Sequence, residues 1–146
     1  MKKTARGKKP KIVRVRLAGE NHQVVTIHGK ADGDRGYCLT PCATCPWRKD
    51  AVGEFPAEAF KISAHTSYDQ SLVTFACHSS GGDRPRDCAG FIVKGSLHNV
   101  RARMNRAKGQ YQDVTDGGHN LFDSYREMAI ANGVDPNDPI LKPCRS

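Results

Sequence analysis

Four cysteines constrain this chain more tightly than any other feature of it. Cys42 and Cys45 lie in the turn Thr40-Pro41-Cys42-Ala43-Thr44-Cys45-Pro46-Trp47-Arg48. Their two-residue gap lets both sulfurs point at one ion, the geometry that zinc turns use. Cys77 ends the run Ser71-Leu72-Val73-Thr74-Phe75-Ala76-Cys77, which reads as a strand, and Cys88 opens a helical pattern. A helix N-terminus favours an anion, so Cys88 is expected as the thiolate that a metal requires. A bend, a strand end and a helix start can meet at a tetrahedral site, and in a chain of 146 residues such a site also supplies folding energy. The expected ligands are Cys42, Cys45, Cys77 and Cys88, and the expected cofactor is Zn2+.

Each competing use of the cysteines has its own signature. Six cysteines would allow three disulfides, but the basic opening residues lead into no apolar segment. The reading is therefore of a chain without a secretory signal, placed in the cytoplasm, where bridges do not persist. His78 follows Cys77 directly, and neighbours on an extended chain point opposite ways; Cys77 is the preferred ligand, with His78 the alternative in a Cys3His site. Cys38 precedes Cys42 by four positions, completing the three-cysteine spacing of radical S-adenosylmethionine enzymes, but too little chain follows for their barrel. Cys38 is the second alternative ligand, and with it an iron–sulfur cluster is the alternative occupant. Cys144, in the proline-rich tail, is expected as a free thiol.

The net charge of +8 arises in one place. Lys2, Lys3, Arg6, Lys8, Lys9, Lys11, Arg14 and Arg16 stand in the first sixteen residues without an acid, and the charges of the remainder cancel. Residues 1–10 read as a basic flexible arm, suited to phosphates through counterion release. Nucleic acid or a host protein is the expected partner. No apolar run approaches the roughly 20 residues of a membrane span, so no membrane partner is expected.

Residues 11–146 read as a single α+β domain. Lys11 to Leu17 alternates, with Val13, Val15 and Leu17 on one face, which predicts a half-buried strand. Gln23 to His28 reads as its hairpin partner. A short helix is predicted from Pro56, where a missing N–H does no harm. Asp87 is the expected N-cap of a helix from Cys88 to about Ala107, with Val93, Leu97, Val100, Met104 and Ala107 as its buried stripe. Lys94, His98, Arg101 and Lys108 form a neighbouring polar stripe that would join the arm as a contact surface. Leu121, Phe122, Tyr125, Met128 and Ala129 mark a further amphipathic helix, stopped by Asn132-Gly133. The tail with Pro136, Pro139 and Pro143 is expected to be irregular.

Several of these strings occur together elsewhere. Pro41-Cys42-x-x-Cys45-Pro46-Trp47-Arg48, Phe75-Ala76-Cys77-His78, Cys88-Ala89-Gly90-Phe91, His98-Asn99-Val100-Arg101 and Tyr125-Arg126-Glu127-Met128-Ala129 resemble a group of small cysteine-rich proteins encoded by bacteriophages and prophages. That group is known as a domain of unknown function. The resemblance runs from about Pro41 to Gly133 and leaves out the arm and the first hairpin. It implies a viral origin and supports the four-cysteine reading, and it implies no activity.

No catalytic residue is assigned. His98 and His119, with Asp116 and Asp123, invite comparison with metal-dependent nucleases, but their spacing makes no nucleophile–base or paired-carboxylate pattern. A nuclease centred on His98 or His119 is the lesser alternative to a non-enzymatic zinc-bearing binding module. Trp47 is expected in the core beside the cysteine turn, and Arg48 on a carbonyl of that turn or on a ligand.

Overall fold

A computed structural model of the chain describes residues 10–19, 22–31, 33–80 and 83–145. Lys2, Lys3, Arg6, Lys8 and Lys9 of the basic arm lie outside the described residues. The predicted hairpin is present: β1 (Lys11–Leu17) pairs antiparallel with β2 (Gln23–His28), setting Val15 against Val25 and Arg16 against Val24. Its predicted burial is not. The register slips between Ile12 and Arg14, and Val15 and Leu17 are 51% and 73% exposed. A two-stranded ribbon has one body to lie on. Here β2 rests on α1 (Ala57–Ser63), with Val24, Val25 and Ile27 half-buried, while Ile12, Val15 and Leu17 of β1 stay exposed.

The long helix expected from Cys88 to Ala107 is two pieces. A short helical segment covers 89–95, π-wound over Phe91–Gly95, and after a break α2 runs over Val100–Ala107. Four contacts account for the break. A Cβ on Gly95 would lie 2.5 Å from the ring of buried Trp47, so this backbone is pressed onto the indole. Ser96 then turns back, its hydroxyl donating to Ile92 O at 2.6 Å, and Arg106 Nη2 donates to the same carbonyl. Asn99 restarts the helix, accepting from Ala102 N at 2.9 Å as N-cap. The predicted stripe therefore fails: Leu97 is 66% and Met104 43% exposed, while Phe91, Ile92 and Ala102 are buried. A periodicity counted across a break in the helix assigns its second half to the wrong face.

Two further segments depart from expectation. Residues 71–77 are extended but carry a single bridge, Ala76 to Asp87, rather than a strand. The proline-rich tail is docked: Leu141 and Cys144 are buried, and Arg126 Nη2 donates to both of their carbonyls, at 2.7 and 3.1 Å. The Cys144 thiol is free, as expected, and burial raises it to about 11. The helix α3 (Tyr125–Ala131) ends at Asn132 and Gly133 as predicted, the glycine at φ +101°, but it starts later than expected: Ser124 caps it, and Leu121 and Phe122 are buried ahead of it outside any helix.

Trp47, Phe91, Tyr125, Met128, Val134 and Leu141 are fully buried and make the core. Trp47 meets Tyr125 edge-on at 5.8 Å and Phe75 at 6.3 Å, and the Tyr125 hydroxyl donates to Phe60 O at 2.7 Å. The cysteine turn, the π-turn and α3 thus close on one indole, and α1 joins them through Tyr125. No helix among the described residues is long and apolar enough to cross a membrane.

Candidate metal centre

Backbone pairing, not regular secondary structure, assembles the cysteines. Asp87 lies between two extended neighbours: Cys38 N donates to Asp87 O at 3.0 Å and Asp87 N to Gly36 O at 2.8 Å on one side. On the other, Cys77 N donates to Arg86 O at 2.7 Å and Cys88 N to Phe75 O at 2.8 Å. These bonds set Cys38, Cys77 and Cys88 on adjacent segments. The cysteine turn is closed by Cys45 N donating to Cys42 O at 3.1 Å and Arg48 N to Cys45 O at 3.0 Å. Arg48 Nη1 donates to Cys42 O at 3.2 Å while its guanidinium pairs with Asp50. Of the two roles considered for Arg48, the structure shows the carbonyl contact.

The sulfurs follow one another in pairs. Cys45 Sγ and Cys88 Sγ are 3.5 Å apart, close to the about 3.8 Å between sulfurs of a tetrahedron with bonds near 2.3 Å. The His78 ring lies 3.9 Å from Cys42 Sγ and 2.6 Å from Thr44 Oγ1, so it rests on the cysteine turn while Cys77 points inward. Thiol donors sharing acceptors split the acidities. The Cys77 thiol lowers Cys38 to about 7 against its burial. Cys45 and Cys77 together hold Cys42 well below an ordinary thiol. As donors, Cys45 and Cys77 are raised in turn.

Five cysteine sulfurs and an imidazole, all the cysteines free, form a donor set whose chemistry fits a soft divalent ion or an iron–sulfur cluster. Their disposition fits less closely. Among the described residues no group of three or more Cys, His, Asp or Glu side chains is arranged to hold a metal ion; the sulfurs make successive pairs and do not share one point.

A family model described as "Family of unknown function (DUF6283)" matches residues 37–145, three quarters of the chain. The chain belongs to that family. No curated protein and no solved structure matches it. The DUF6283 span begins just ahead of Cys38 and takes in all six cysteines. The arm and the hairpin lie outside it, as does Lys30.

Within the DUF6283 span, several residues that sequence reasoning passed over or misplaced hold the cysteine segments together. The Asp87 carboxylate, expected as a helix cap, instead accepts from Thr74 Oγ1 at 2.6 Å and from the Tyr111 hydroxyl at 2.5 Å. Burial raises its pKa, and the two donors oppose that rise. Tyr111 sits at φ +72°, meets Tyr37 edge-on at 5.1 Å, and takes a hydrogen bond from Asn105 Nδ2. Asn99 is fully buried, its Nδ2 donating to Thr66 O at 3.0 Å and Val73 O at 2.8 Å. The Asn99 role had a signal in His98-Asn99-Val100, an N-cap residue before a helical run; the Tyr111 role had none.

The expected basic stripe is divided by the helix break. Lys94 pairs with Asp123 at 2.9 Å, and both border a hollow of about 100 Å³ with His98 and Arg145. Arg101 and Lys108 face a much larger groove. The nuclease candidates are not gathered into one group. Asp116 accepts from Gly118 N in the turn that holds His119, and Asp123 is engaged by Lys94.

Proposed function

We propose that this DUF6283 protein is a zinc-stapled, non-enzymatic binding module for nucleic acid, serving a bacteriophage or prophage as an accessory protein. A host protein is the other class of partner. The observation that supports the reading is that Cys38, Cys42, Cys45, Cys77 and Cys88, free thiols on three separate segments, are brought side by side in successive pairs. Cys42, Cys45, Cys77 and Cys88 would hold the ion, with Cys38 or His78 as the exchangeable donor. Four protein thiolates leave no open position for a substrate, which makes the metal structural. The nucleic-acid part rests on the +8 charge and its concentration in the first sixteen residues. The fifth sulfur, Cys38, favours a second reading, an iron–sulfur cluster on the same cysteines.

Elemental analysis of anaerobically purified protein, with thiol counting, tests the staple. One zinc per chain in a colourless protein is the expected result. Iron with a brown colour and broad visible absorption selects the cluster, and a folded protein with neither metal removes the staple. Nucleic-acid affinity should fall steeply between about 50 and 200 mM salt and weaken on deletion of residues 1–10. Absent or salt-independent binding selects the protein partner.

A further inference from the structure

We infer that the groove between the hairpin and the cysteine body seats single-stranded nucleic acid, an inference that rests on the nucleic-acid reading above. The groove encloses about 920 Å³, near the top of the roughly 300–1,000 Å³ range of ligand pockets. One wall is β2, the floor is the extended run through Val73 and Phe75, and the far wall is α2. Its charge is one-sided. Lys30, Arg35, Arg101 and Lys108 line it, and the one carboxylate among the described lining residues, Asp87, is turned onto Thr74 and Tyr111. Arg101 and Lys108 are exposed and make no ion pair among the described residues.

The groove also offers rings. Phe55 and His78 both line it, with centroids 4.8 Å apart, and His22 continues the series 5.9 Å from Phe55. Leu72 and Val73 add exposed apolar surface, 58% and 41%. Basic side chains flanking partly exposed rings match a strand whose bases are unstacked, because each base then offers a π-face and each phosphate a charge. A duplex keeps its base faces stacked inside and gains only from the charges.

Pro10 lies against Gly29, which lines the groove together with Ile12. Charge complementarity with the basic lining favours this occupant over an apolar peptide.

Fluorescence anisotropy on the protein as purified tests the inference, with labelled oligothymidine, oligouridine and duplex of about 15 nucleotides, near the site sizes of single-strand binders. Either single strand is expected to bind at least about tenfold more tightly than the duplex. Arg101→Glu with Lys108→Glu should weaken single-strand binding at least about tenfold, with metal content and melting temperature unchanged. If that variant fails to fold, Arg101→Gln with Lys108→Gln gives the same reading at smaller amplitude. Photo-crosslinks from iodouracil-substituted strands should fall on the peptides containing Phe55 or His78. Equal affinity for strand and duplex, or unchanged affinity in the charge variants, overturns the groove and leaves the arm as the nucleic-acid surface. No binding to any of the three oligonucleotides removes the nucleic-acid reading itself.

Discussion

The hairpin and the cysteine body are built by opposite means. The hairpin is local: β1 and β2 pair with each other, β2 rests on α1, and Ile12, Val15 and Leu17 are half or more exposed. The body has little regular structure, yet its parts are joined over long stretches of chain. Gly36, Cys38, Phe75 and Cys77 all pair with the segment Arg86 to Cys88, and Tyr125 reaches Phe60 across 65 residues. The DUF6283 match covers the second region and stops short of the first. Where loops must be closed against chain entropy, buried side chains and long-range backbone pairing supply the closure; where the chain folds on itself, alternation and a turn suffice. The exposed Ile12, Val15 and Leu17 of β1 take no part in the core.

Three substitutions break or sharpen that contrast, the largest first. Cys88→Ser removes the sulfur that faces Cys45. Structural zinc contributes about 10–16 kcal/mol in zinc-finger peptides, against roughly 5–15 kcal/mol for a whole domain. If the proposed zinc is present, the body is expected to lose its cooperative thermal transition, followed by circular dichroism. A Cys88→Ser protein that melts like its parent would show that the closure is purely apolar. Asn99→Ala should act next. It deletes the α2 cap and strands Thr66 O and Val73 O, a loss of about 2–4 kcal/mol in urea denaturation. A loss under about 1 kcal/mol would mean that these buried links do not hold the segments. Leu17→Ser belongs to the other region, on a side chain 73% exposed. It should change stability by no more than about 0.5 kcal/mol, and a larger drop would show β1 packed on something in solution.

Local patterns were legible where the chain answers to its near neighbours. The alternation of Lys11 to Leu17 and Gln23 to His28 produced the strands, Pro56 opened α1, and Asn132-Gly133 ended α3. The cysteine spacing picked out residues that do adjoin, though it set Cys38 aside as an alternative although Cys38 sits beside Cys77. What failed had a distant cause. The helix through Ser96 looked continuous because nothing near Gly95 in the chain shows that Trp47 lies across it. Asp87 looked like a cap because nothing near it shows that Thr74 and Tyr111 would turn its carboxylate inward.

By itself, then, the sequence determined an α+β fold, a hairpin at one end, a cysteine turn and a basic opening stretch. Each of these depends on spacing or charge within a few residues. Only the tertiary structure decided where the helix breaks, which apolar side chains are buried, that the tail docks, and that a groove forms between hairpin and body. Those outcomes follow from close packing against residues tens of positions away, where a single ring such as Trp47 overrides a local preference worth less than its burial.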